Sequence, residues 1–169
     1  MMPIRIIKQS GIYTLTSEQI MPVSMDEAWS FFSLPTNLDK ITPAEMKFFI
    51  TNNPGVETYP GQIITYKIGI FPFIKNNWIT EITHFREPSG TTLKKAFFVD
   101  EQRFGPYAMW HHEHHFEELS NGNLKMTDIV NFKLPFGIFG DILAGQFVKA
   151  KVQSIFEDRH RILTELFAS

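Results

Sequence analysis

Residues 141–167 contain no proline, and this stretch constrains the fold more than any other. Phe147, Val148, Val152, Ile155, Phe156, Ile162, Leu163 and Leu166 recur at three- and four-residue steps, the period of a helix with one apolar face. Lys149, Lys151, Asp158, Arg161 and Glu165 fit the opposite, wetter side. Such a helix is ~40 Å long at about 1.5 Å per residue. A face that long must be covered by something equally broad, and a β-sheet is the natural partner.

The preceding residues supply that sheet. Turn signals punctuate them at "NNPG" (52–55), "YPGQ" (59–62), "EPSG" (87–90), "FGPY" (104–107) and "SNGN" (120–123). Between the turns, strands are expected near 11–20, 46–52, 61–71, 78–87, 91–104, 107–118 and 124–134, joined as consecutive antiparallel hairpins. Two short helices interrupt the series. "SMDEAWSFF" opens on a capping box, Ser24 to Glu27, and Pro35 stops it. "TNLDKI" then reads as one further turn, capped by Thr36 or Asn37. The order is β-α-α-β6-α, an α+β chain whose twisted antiparallel sheet wraps around the C-terminal helix. A length of 169 residues suits one domain, 1–169.

Composition removes several functions. Without cysteine there are no disulfides, thiol nucleophiles or cysteine–zinc sites, and a reducing cytoplasm is the expected setting. A net charge of −2 with no long run of one sign predicts no nucleic-acid partner. No apolar run approaches the ~18 residues of a membrane span, so no integral membrane association is expected, and the N-terminal run is too short for a signal peptide. There is no Walker loop, GxGxxG or GxSxG, and no cofactor is expected. The 17 phenylalanines stand out, and some of these rings are expected to line a cavity.

The stretch "WHHEHHF" (110–116) carries four of the six histidines. Period-2 alternation puts Trp110, His112, His114 and Phe116 on one face and His111, Glu113, His115 and Glu117 on the other. The ring-bearing face should be buried and the polar face wet. In the next strand Leu124, Met126, Asp128, Val130, Phe132 and Leu134 share the apolar face. The two faces match only if the connecting loop is odd, with Gly122 at a left-handed position. That register sets Phe116 opposite Met126, His114 opposite Asp128, His112 opposite Val130 and Trp110 opposite Phe132.

Three chemistries suit these residues. Metal binding would use the ligand types of His112, His114 and Asp128, but residues two apart on a strand do not readily converge on one ion, and "HExxH" is missed because Phe116 stands in the second histidine position. No metal is expected. Acid–base catalysis would use a histidine held by an aspartate beside an apolar pocket, with His112, His114 and Asp128 as the catalytic candidates. Binding would use Tyr66, Trp78, Phe98, Trp110 and Phe132 as walls, with His112, His114 and Asp128 fixing a ligand's polar end. Asp100 and Gln102 share the parity of Phe98 and are expected at the same cavity. The apolar stretches "GIFPFI" (69–74) and "LPFGIFG" (134–140) either pack inward or form lips that a partner could touch, and Gly145 permits a close approach to the helix.

The strings "AWSFFSLPTNLDKITP" (28–43), "WITEI" (78–82), "FVDEQRFGPYAMWHHEHHF" (98–116) and "LPFGIFG" (134–140), in this order of elements, resemble the START-like helix-grip (SRPBCC) superfamily. The likeness runs over nearly the whole chain and is nearest to a bacterial branch of stand-alone ligand-binding proteins. It implies a cavity between sheet and long helix that takes a hydrophobic or amphipathic small molecule. The superfamily also contains cofactor-independent polyketide cyclases and dehydratases, which implies the catalytic alternative. A regulatory partner-binding module is the third reading.

Overall fold

The computed structural model describes residues 4–55, 57–71 and 74–168. Its strands are β1 (Arg5–Gln9), β2 (Ile12–Met21), β3 (Phe49–Ile50), β4 (Ile63–Phe71), β5 (Ile74–Ser89), β6 (Lys95–Phe104), β7 (Met109–Glu118) and β8 (Leu124–Lys133). Helix α1 spans Met25–Phe32 and α2 spans Gly137–Leu166. All the strands form one antiparallel sheet in the order β1-β2-β8-β7-β6-β5-β4-β3. The expected hairpins run from β3 to β8, and β2 closes onto β8. That pairing lets α1 and the turns after it cross from one side of the sheet to the other.

The register of β7 on β8 is the one the loop parity requires. Trp110 faces Phe132, His112 faces Val130, His114 faces Asp128 and Phe116 faces Met126. Gly122 carries the turn at φ 81° and donates to Leu119 O. In β8 burial alternates as expected, with Leu124, Met126, Asp128, Val130 and Phe132 inward.

Four expectations need correction. An eighth strand, β1, pairs with β2. It is mostly exposed, and a strand wet on both faces has no alternation to betray it. The second helical segment, Pro35–Ile41, is a 3₁₀ helix that begins at Pro35 itself, so neither Thr36 nor Asn37 caps it. Asn37 instead donates to Phe31 O at 2.9 Å. Helix α2 begins at Gly137, before the expected 141, and takes in most of "LPFGIFG". Phe147 and Leu166, expected inward on α2, are exposed. The stretch 69–74 falls at the end of β4 and the start of β5, and its residues 72 and 73 lie outside the described residues.

Gly145 lies on the sheet side of α2. A Cβ there would come 2.6 Å from the Tyr13 hydroxyl oxygen, and Tyr13 is held by stacking on Phe132 at 5.1 Å. The glycine therefore admits strand β2 and its tyrosine. The core that results has two apolar groupings. One gathers Leu15, Trp78, Phe132, Val152 and Phe156, and the other Met25, Phe32, Phe116, Met126 and Leu163. On β7 the buried His112 and His114 stand between Trp110 of the first and Phe116 of the second.

Candidate functional site

A polar belt crosses four adjacent strands at one level. Register places Asp100 opposite His112, His114 opposite Asp128, and Asp128 opposite Ser17. Arg159 and His160 of α2 complete the belt, and Arg159 lies 3.8 Å from Asp128. All of these groups are buried except Asp100, which is half-buried. Buried polar groups are costly unless paired, and the two histidines and two aspartates pair in a crossed pattern. His112 Nε2 lies 2.9 Å from Asp128 Oδ1, and His114 Nε2 lies 2.7 Å from Asp100 Oδ2. Each imidazole thus bonds to the carboxylate opposite the other one. Side chains on a strand lean along its direction, which brings diagonal neighbours into reach. The two rings lie with centroids 3.7 Å apart and planes tilted by 35°, and Phe98 stacks on His114 at 4.2 Å.

Contact this close separates the protonation states. Burial opposes charge on His114, but hydrogen bonding to Asp100 and the nearby Asp128 carboxylate outweigh it and raise its pKa. Its Nδ1 sits 3.3 Å from Asp128 Oδ1, an ionic contact without hydrogen-bond alignment. His112 goes the other way. Burial and the neighbouring His114 charge pull its pKa down to about 4, despite its bond to Asp128. Burial works against both carboxylates, yet the cations around them hold Asp100 and Asp128 below the ordinary range. The cluster therefore holds two carboxylates beside Arg159, with His114 the imidazole that takes a proton more readily and His112 neutral at neutral pH. Asp128 only accepts, so the His112 proton is on Nε2 and its Nδ1 lone pair is free. That Nδ1 lies 3.5 Å from Asp100 Oδ2.

The belt forms one wall of a cavity of about 170 Å³ between the sheet and α2. Tyr66, Trp78, Phe98, Asp100, Trp110, His112 and His114 line it, as their parity suggests. Three sequence candidates do not. Asp128 sits behind the histidines and orients them. Phe132 is buried between Tyr13 and Trp110 as core. Gln102 turns away to brace the 105–106 turn, donating to Tyr107 O at 2.7 Å and accepting from Tyr107 N at 3.2 Å. A register irregularity between Ile79 and Thr80 accompanies its departure. The outward pair behaves as decoration, with His111 on Glu101 and His115 on Glu113, both at 2.8 Å.

Sequence reasoning missed two parts of the cavity. The segment from Phe31 to Phe48 walls one end, through residues such as Leu34, Leu38, Ile41 and Met46. Its irregular backbone carries no period to read. Arg159 was also missed, although a signal existed. It falls seven residues after Val152 and four before Leu163, on the apolar stripe of α2, where a cation is out of place. The "LPFGIFG" residues are not among those lining the cavity. Phe136, Ile138, Phe139, Ile142 and Leu143 are exposed at the start of α2, well before its first cavity residue, Val152.

Metal-ligand geometry exists in outline. Ligand atoms of Asp100, His112 and His114 lie within 4.8 Å of one another, with Asp100 in the place expected of Asp128. This is a two-histidine, one-carboxylate set. Its nitrogens are engaged by carboxylates at His112 Nε2 and His114 Nε2, and Arg159 adds a fixed positive charge beside them. The arrangement is organised around protons.

No protein-family model matches the chain, and no curated protein matches it in sequence. Solved structures do. Protein Ms6760 from Mycobacterium smegmatis is 17% identical over 97% of this chain and 99% of its own, with a TM-score of 0.62. Truncated norcoclaurine synthase from Thalictrum flavum is 14% identical over 96% and 99%, with a TM-score of 0.60. Major latex-like protein 151 from Panax ginseng is 10% identical over 92% and 97%, with a TM-score of 0.57. No described helix is long and apolar enough to cross a membrane. One antiparallel sheet gripping a long C-terminal helix, over nearly the full length of each of these proteins, is the START-like helix-grip fold, and this chain has it.

Proposed function

We propose that the protein binds a hydrophobic or amphipathic small molecule in the cavity between sheet and α2. The observation that carries this reading is the make-up of the cavity. Its walls are rings and aliphatic chains, and its charged groups are gathered at one end. A few convergent polar groups among many apolar ones is the usual composition of a small-molecule site. A solid core would have filled the space, since interiors pack densely. Native mass spectrometry of the protein purified from its source should show a co-purifying species released on denaturation. Bulking the wall by Val152→Phe should abolish that species in a folded protein. Retention of the same species by the folded variant would show that it binds elsewhere.

One observation favours a second reading, cofactor-independent acid–base catalysis of the cyclase or dehydratase type. His112 is neutral, oriented by Asp128, and lines the cavity. That is the arrangement a general base requires. In a screen of aromatic polyketide-like substrates, turnover should fall about 100-fold or more in His112→Ala. Turnover unchanged by that substitution would remove the reading. A partner-binding module would instead use the exposed Phe136, Ile138, Phe139, Ile142 and Leu143, which do not line the cavity.

A further inference from the structure

The group in the cavity that the rest of the protein satisfies least is Arg159. It is 7% exposed and lines the cavity. A guanidinium has five N–H donors and stays charged at any ordinary pH. Among the described residues, Nε of Arg159 has no hydrogen-bond acceptor. Its ion-pair contact is Asp128 Oδ1, 3.8 Å from Nη2, beyond hydrogen-bond range. That oxygen is given to His112 at 2.9 Å instead. Arg159 is thus neutralised at a distance while its buried Nε–H is left without an acceptor, a costly state for a buried group.

From this we infer that the cavity ligand is a small apolar monocarboxylate whose carboxylate pairs with Arg159. The inference rests on the reading that the cavity binds a ligand, and it names the class. A carboxylate matches the planar fork of a guanidinium through two parallel hydrogen bonds, which a hydroxyl or carbonyl cannot do. A cationic head group fits less well. Asp100, the carboxylate lining the cavity, already has His114 at 2.7 Å and His112 at 3.5 Å. A long-chain lipid fits less well too. The cavity measures about 170 Å³, and about 150 Å³ accommodates a benzene molecule. One aromatic ring or a short branched chain fills such a volume. The aromatic lining, with Trp78, Phe98, Trp110 and Phe156, suits a ring.

Titration of the protein with phenylacetate and with phenylacetamide, its neutral isostere, tests the inference by calorimetry. The wild type should prefer phenylacetate by about tenfold or more, the worth of a charge-assisted hydrogen-bond pair. Arg159→Met should weaken phenylacetate by about tenfold or more while changing phenylacetamide less than about threefold. Arg159→Lys should fall between, since it keeps the charge and loses the fork. Equal affinity of wild type for acid and amide overturns the inference, and this comparison needs no variant to fold. Acid binding unchanged in Arg159→Met also overturns it. If neither compound binds, the class and size assignment falls. A co-purifying species in the native mass spectrum would then show that the broader binding reading survives.

Discussion

Asp128→Ala should destabilise the protein by about 3–5 kcal/mol, the range for breaking a buried ionic network by removing one partner. Asp128 is 3% exposed. Its Oδ1 meets His112 Nε2 at 2.9 Å, His114 Nδ1 at 3.3 Å and Arg159 Nη2 at 3.8 Å. Without it, Arg159 and a protonated His114 share the cavity wall with Asp100 as their remaining anion. Asp128→Asn keeps the shape and an acceptor but not the charge, so it should lose less. Urea denaturation with an unchanged m-value measures both. A loss under about 1 kcal/mol for the alanine variant would mean that the network is not coupled as the distances imply.

The pH dependence of stability separates the members of this network. The folded-state pKa of Asp128 lies below its unfolded value of 3.8. Its contribution is therefore present above that value and lost as pH falls through the folded pKa. His112 acts over a higher range, because its pKa drops from 6.5 to about 4 on folding. The unfolded chain takes that proton first, so stability falls as pH drops from about 6.5 towards 4. His114 opposes it. Its raised pKa adds stability that is full below 6.5 and lost as pH rises through the folded value.

Much of this site was legible before any coordinates, for identifiable reasons. Period-2 alternation is rigid, so the inward placing of His112 and His114 follows once Trp110 and Phe116 are assigned to the core. The odd loop around Gly122 is the only connection that matches the apolar faces of β7 and β8, and so the pairing of His114 with Asp128 was readable. Which carboxylate each imidazole bonds to was not. Two adjacent rings with an aspartate opposite each can bond straight across or diagonally, and side-chain lean decides between them. The departure of Gln102 was hidden too, since the parity it shares with Asp100 does not predict which way a side chain near an irregular pairing will turn. Arg159 was legible in principle. Its place on the stripe of Val152, Phe156 and Leu163 marks it as buried, although a charged residue ordinarily faces water.

Phenylacetate should bind more tightly as pH falls from 8 towards 5, by up to about tenfold per pH unit, while phenylacetamide should show no such trend. The reason is charge balance. Three titratable groups face His112, Asp100 from β6, His114 beside it on β7 and Asp128 from β8, and Arg159 of α2 lies 3.8 Å from Asp128. Burial lowers the pKa of His160 on α2, and Tyr66 and Tyr107 are phenols held above their ordinary range. The carboxylates of the cavity wall thus already have Arg159 and His114, the imidazole that protonates more readily, as partners. A carboxylate on Arg159 adds one negative charge in a place that water reaches poorly. His112 is the group able to compensate, because its Nδ1 is unprotonated and faces Asp100 Oδ2 at 3.5 Å. Its pKa, about 4 in the free protein, must rise in the complex. Between the free and bound values, binding takes up a proton, so affinity grows as pH drops. Calorimetry in two buffers of different ionisation enthalpy counts that proton directly. In His112→Phe the uptake should vanish and the pH dependence of phenylacetate should flatten. An acid affinity that is flat with pH in the wild type, or a proton count of zero, would show that Arg159 takes the carboxylate without His112. In that case the neutral imidazole would be left free for the base role that its geometry also permits.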